Sequence, residues 1–243
     1  MQYQENGKKL IKSNIPITNL DNLKMPKDSI FLHSGNSKLI NLLQNREIYI
    51  KILGPKYYEP TAVNAWIDLF PFLNDADWSK IFSLPFAISK EPYLQTFQYK
   101  IINRLLNCNY NLKKWKLKPS NNCIYCAEID TLEHHLFECS ESQKIWKNLN
   151  KWMTQNLEFS FKFSICEIIF GLIGLNDENI KITNFLILIT KFYINKNRTK
   201  EEPLYFFELL SVIRQKVLLN NFFQYTNEHF SDGNWLNRLL IAL

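Results

Sequence analysis

The chain has 243 residues, 46% hydrophobic and 14% aromatic, which is enough to bury a substantial core and too apolar for a disordered chain. Its 6 glycines and 9 prolines leave little material for the many tight turns of a β-sandwich or barrel. A net charge of +6 permits a polyanionic partner without requiring one.

Residues 1–35 carry mixed charge and read as an irregular leader, with no apolar segment of the secretory kind. The run "IYIKIL" at 48–53 suits strand or helix equally. Helical patterns recur through 36–122. Thr61 is placed to cap a helix carrying Val63, Trp66, Ile67 and Phe70, and Asp75 another carrying Trp78, Ile81 and Phe82. Ser89, before Glu-Pro, opens a third, in which Leu94, Phe97, Ile101 and Leu105 recur at helical spacing. Ile145, Leu149, Trp152 and Met153 mark an amphipathic helix over 141–156. In the C-terminal helical region, 157–243, Ser164 with Glu167 and Thr199 with Glu202 form capping-box pairs. The second precedes a helix with Phe206, Leu210, Ile213 and Val217 on one face. The apolar stretch 185–190 is cut by Lys191, far short of the ~20 residues of a membrane span. The fold class is mostly α: an irregular helical assembly around a central metal knuckle, which with its following helix occupies 123–156.

That knuckle is "CIYCAEIDTLEHHLFEC", residues 123–139. Zinc takes four nitrogen or sulfur ligands in a tetrahedron, and structural sites fill all four places from the protein. Cys123 and Cys126 supply a C-x2-C turn. Asp130 or Thr131 can cap a short helix that brings a histidine and Cys139 back to it. On a regular helix His135 and Cys139, four apart, share a face, while His134 stands five away. Three buried apolar cysteines, or a catalytic Cys–His pair, are the competing readings. Neither accounts for C-x2-C beside a His/Cys pair. Five cysteines without a secretory signal suit an intracellular, reducing setting, cytoplasmic and nuclear. Cys108 and Cys166 read as structural thiols.

Charge is segregated around the knuckle. Between residues 98 and 122 stand Lys100, Arg104, Lys113, Lys114, Lys116 and Lys118, with Trp115 among them and no acid. Basic residues interleaved with aromatics can pair with phosphates while a ring stacks on a base; the alternative is a solvated face with Trp115 in the core. Lys191, Lys196, Arg198 and Lys200 read as the charged end of an apolar helix. Glu128, Asp130, Glu133, Glu138 and Glu141 crowd the knuckle, whose zinc and three thiolates already sum to −1. Its own surface should repel phosphate, making it a spacer between helices.

The combination resembles the reverse-transcriptase zinc-binding region of LINE-type (non-LTR) retrotransposon proteins. The family shows a Cys pair, an acidic-Thr-x-x-His element, four residues, a Cys and a downstream Trp. Here these read Cys123 and Cys126, "DTLEH", "HLFE", Cys139 and Trp146. "FQYKIINRLLNCNYNLKKWKL" and "PTAVNAWIDLFPFLNDADWSKIFSLPF" resemble the segments that precede the knuckle. The resemblance implies one structural Zn2+ on Cys123, Cys126, His134 and Cys139. It implies partners as well: the element's RNA, the target DNA, and the polymerase portion of the same parent protein. The family polymerises through a Tyr/Phe-x-Asp-Asp turn, and no Asp-Asp pair occurs in these 243 residues. The expectation is a non-catalytic C-terminal fragment that binds nucleic acid during target-primed reverse transcription. The alternative is a zinc-stapled helical module docking on the polymerase core.

Overall fold

The computed structural model describes residues 30–33, 36–39, 61–174, 177–225 and 234–243. The chain divides into two units, Met1–Tyr58 and Glu59–Leu243. In the first, β1 (Ile30–His33) pairs antiparallel with β2 (Asn36–Leu39), so the irregular leader expected over 1–35 reaches a short hairpin at its end. The rest of that leader, and the run at 48–53, lie outside the described residues.

The second unit is α-helical. Its helices are α1 (Thr61–Leu69), α2 (Asp75–Ile88), α3 (Pro92–Ile102), α4 (Asn109–Lys114), α5 (Ser140–Leu157), α6 (Ile165–Phe170), α7 (Glu178–Lys200), α8 (Phe206–Tyr225) and α9 (Asn234–Ala242). A π-helical turn, His134–Glu138, runs into α5. α7 is the hub, packed against α2, α3, α8, α9 and the π turn. Its middle is buried on every side: Ile182, Phe185, Leu186, Ile187, Leu188, Ile189 and Ile194 are all but inaccessible, and the polar Thr183, Asn184 and Lys191 are buried among them.

The helix faces follow the apolar spacing, while several ends differ from expectation. Asn74, not Asp75, caps α2, its side chain accepting from Asp77 N while Asp77 accepts from Asn74 N. α3 starts at Pro92, whose missing N–H costs nothing in a first turn, and Ser89 instead ends α2. Leu94, Phe97 and Ile101 are buried, but α3 stops before Leu105, which is exposed; Leu106 takes the core position. The turnover comes at Arg104, whose backbone is left-handed at φ 56. α5 buries Ile145, Leu149, Trp152 and Met153 as its pattern requires. Ser164 and Glu167 close their capping box on α6. Thr199 does not cap α8: it lies inside α7, its hydroxyl donating to Asn195 O, and α7 runs to Lys200. After α6 the chain turns at Gly171 (φ 87), where a Cβ would stand 2.4 Å from Leu84 Cδ2, so only glycine fits. Among the described residues no helix is long and apolar enough to cross a membrane.

Candidate metal centre

The first half of the centre is a tight hairpin. Asn122 bridges Ile129, Cys123 N–H donates to Glu128 O, and Ala127 N–H donates to Cys123 O. Ala127 takes the left-handed turn at φ 62. This curl holds Cys123 and Cys126 on one side. The second half is the π turn. Thr131 Oγ1 accepts from His134 N, and Cys139 N–H reaches back five residues to His134 O. That wider pitch answers the spacing problem, because it stacks His134 over Cys139 where a regular α-turn would stack His135. Trp146 Nε1–H clamps the turn to α5 by donating to Leu136 O at 2.8 Å.

The two halves bring four donors together. Cys139 Sγ lies 3.8 Å from Cys123 Sγ and 3.9 Å from Cys126 Sγ, and Cys126 Sγ lies 3.2 Å from His134 Nε2. All four ligand atoms fall within 4.8 Å of one another. Zinc with tetrahedral bonds of about 2.3 Å to sulfur sets neighbouring sulfurs about 3.8 Å apart, so the donor set fits one structural Zn2+. Burial alone would raise the Cys123 thiol, but the Tyr125 backbone N–H and the Arg198 guanidinium bring it down to about 6. Cys126 is pushed up to about 11, by desolvation first and then by the adjoining sulfurs. A divalent cation supplies the charge that lets such crowded sulfurs ionise together.

Behind the sulfurs lies a buried polar layer. His135 turns away from them, its Nδ1 at 3.2 Å from both Asp130 oxygens. Asp130 also accepts from Asn109 N at 2.8 Å, which ties α4 to the knuckle. Arg198, near the end of α7, reaches in. Its Nη1 donates to Cys123 Sγ at 3.1 Å and to Asp130 Oδ1 at 3.2 Å, and its Nη2 donates to Ser142 Oγ at 3.1 Å. Its guanidinium lies 4.8 Å from the Tyr125 ring centre, and Tyr125 Oη donates to Glu202 O. Desolvation would lower the Arg198 pKa, but the thiolates and Asp130 raise it above its ordinary value. Burial would raise Asp130, but its bonds to His135, Asn109 and Arg198 hold it below the carboxylate range. Burial likewise keeps His135 below its ordinary value, against the pull of Asp130, so it serves as a neutral Nδ1–H donor.

Two expectations change here. Arg198 and Lys191 are not a solvated helix end: both are buried, Lys191 donating to Gln98 Oε1 at 2.7 Å and Ile169 O at 3.0 Å. Nor do all five acids face outward. Asp130 meets Arg198 and Glu133 pairs with Arg104 at 2.7 Å, while Glu141 pairs with Lys144 at 2.6 Å on the surface. Glu128 and Glu138 are the exposed remainder.

The basic window splits. Lys113, Lys114, Trp115 and Lys116 stand together at the end of α4, all exposed, and Lys100 is exposed on α3. Lys113 Nζ reaches Asn121 Oδ1 at 3.3 Å. Arg104 is held by Glu133 and stacks 4.2 Å from the Trp66 ring centre, and Lys118 pairs with Glu201 at 3.3 Å. Cys108 is buried and Cys166 half-buried, both outside the cluster, with burial pushing each thiol up to about 11.

Residues 63–146 match the family described as zinc-binding in reverse transcriptase. That span contains the four donors and the basic segment beside them, and it is a domain of that family. No curated protein and no solved structure matches the chain.

Proposed function

We propose that the chain is a non-catalytic nucleic-acid-binding region of a LINE-type (non-LTR) retrotransposon reverse transcriptase protein, one that lies beyond the polymerase core of its parent. In this reading Cys123, Cys126, His134 and Cys139 hold one Zn2+, which neutralises the sulfurs and cross-links hairpin to π turn. The polymerase portion of the parent, the element's RNA and the target DNA are the partners. Thiolate ligands suit the reducing cytoplasm and nucleus where those partners meet.

The observation that carries the reading is the exposed group Lys113, Lys114, Trp115 and Lys116, one short loop away from the knuckle inside the matched domain. A rigid mount keeps these charges in a fixed array, and three lysines on one segment can neutralise successive phosphates. The internal pairing of Asp130, Glu133 and Glu141 lowers the repulsion an approaching strand would meet.

The test is the salt dependence of binding to a labelled single-stranded RNA. Log affinity should fall linearly with log salt. Replacing Lys113, Lys114 and Lys116 by Ala should reduce the slope by up to about 2 for a single strand. An unchanged slope would remove these lysines from the interface. The alternative, a zinc-stapled module docking on the polymerase core, draws on the exposed Phe207 and Ile241. It predicts no salt-dependent binding to any strand.

A further inference from the structure

We infer that a cleft beside α4 receives an unpaired nucleobase of a single-stranded RNA or DNA. The inference rests on the nucleic-acid reading above and adds where a base would lodge. The cleft holds about 570 Å³, within the range of roughly 300–1,000 Å³ typical of small-ligand sites. Ala62 and Ala65 of α1 line it with small side chains. Tyr110 and Trp115 border it from α4 and its cap, joined by Lys114 and by Arg104 of the α3–α4 loop.

Two features select the ligand. The rings come first. Tyr110 and Trp115 are 47% and 40% exposed, so each keeps part of an aromatic surface in water beside a concavity. Bases stack on such surfaces whatever their sequence. Charge comes second. Among the described residues no acid lines the cleft; Lys114 does, and Lys113 and Lys116 are exposed on either side of it in sequence. A ligand with an aromatic part and an anionic tether matches both walls and rim. Arg104, pinned by Glu133 at 2.7 Å and by the Trp66 ring, is a fixed part of the lining. A base inside a duplex is stacked on both faces and cannot enter without unstacking, so the cleft favours single strands.

The experiment uses the full zinc-loaded chain and two probes of equal length and charge. One is a 12-nucleotide strand carrying 2-aminopurine; the other has the same backbone with every base removed. The base-bearing strand should bind about 5- to 100-fold more tightly, with quenched 2-aminopurine emission and an equal salt slope. Trp115→Ala or Tyr110→Ala should shrink that ratio toward one, while Trp115→Phe preserves most of it, zinc content staying constant. Equal affinity of the two strands for the unaltered protein would overturn the cleft and leave phosphate binding standing. So would a ratio that survives both alanine variants, since the base would then lodge elsewhere. Failure of both strands to bind would overturn the cleft together with the nucleic-acid reading.

Discussion

Arg198 and Lys191 sit seven residues apart on α7, two turns along nearly the same face, and both are buried cations. Their surroundings differ in one respect. Arg198 meets a thiol and a carboxylate, and its proton is held more tightly than in water. Among the described residues Lys191 meets only the amide oxygen of Gln98 and the carbonyl of Ile169; burial brings its pKa down to about 7. Dipoles satisfy an ammonium's hydrogen bonds but do not repay the loss of its hydration, whereas a formal anion contributes charge as well. The zinc-facing end of α7 is therefore a place where charge is required, and its middle a place where charge is only tolerated.

The sharpest break of this contrast is removal of the anions themselves. Cys126→Ser, or exhaustive chelation, should abolish stoichiometric zinc and loosen residues 123–146 in hydrogen exchange. Structural zinc sites contribute on the order of 10 kcal/mol to small folds. His134→Ala should lose zinc in the same assay while His135→Ala retains it, and the reverse result would reassign the ligand. Next, Arg198→Met should weaken zinc binding roughly 10- to 100-fold in chelator competition. It should also cost about 3–5 kcal/mol in denaturant unfolding, because Asp130 would be left buried without its cation. Arg198→Lys should rescue only part of this, since one ammonium cannot reach sulfur, carboxylate and hydroxyl at once.

Lys191 should behave in the opposite sense. Its folded pKa lies near 7 and its unfolded value near 10.4. Between those limits the unfolded chain binds the extra proton, so stability rises with pH across that window and levels off below it. Lys191→Met should remove the slope and raise the unfolding midpoint at neutral pH. A variant that keeps the slope would place the titrating group elsewhere. The smallest effect belongs to Lys113, Lys114 and Lys116. Being exposed, each should change stability by less than about 0.5 kcal/mol when replaced by Ala.

The same contrast explains what could be read in the chain beforehand. Apolar spacing located the buried faces of α3 and α5, because Leu94, Phe97 and Ile101, or Ile145, Leu149 and Met153, obey a period that burial imposes. C-x2-C with a nearby His and Cys announced the metal, since few other arrangements call for those residue types together. Helix ends were less legible. Asn74 and Asp75 are neighbouring residues of similar capping chemistry, and Ser89 suits a helix start but ends the helix before it, so tertiary packing and Pro92 decide the boundaries. The π turn leaves no local signature: its five-residue reach becomes necessary only once Cys139 must face Cys126. Arg198 was hidden for a further reason. A basic residue closing an apolar helix suits the helix dipole equally well whether it enters water or a buried pocket, and its partners lie 75 and 68 residues earlier in the chain.

That distance has a practical bearing. A peptide excised at the limits of the matched span, 63–146, would retain both sulfur pairs of contacts and the imidazole, yet it would leave behind the guanidinium that shields Cys123 and the carbonyl that anchors Tyr125. Its grip on the ion would be looser than that of the whole chain, and its hairpin would lack a lid. Affinity measured on such a piece would describe a different coordination environment, one open to solvent on the side where α7 normally stands.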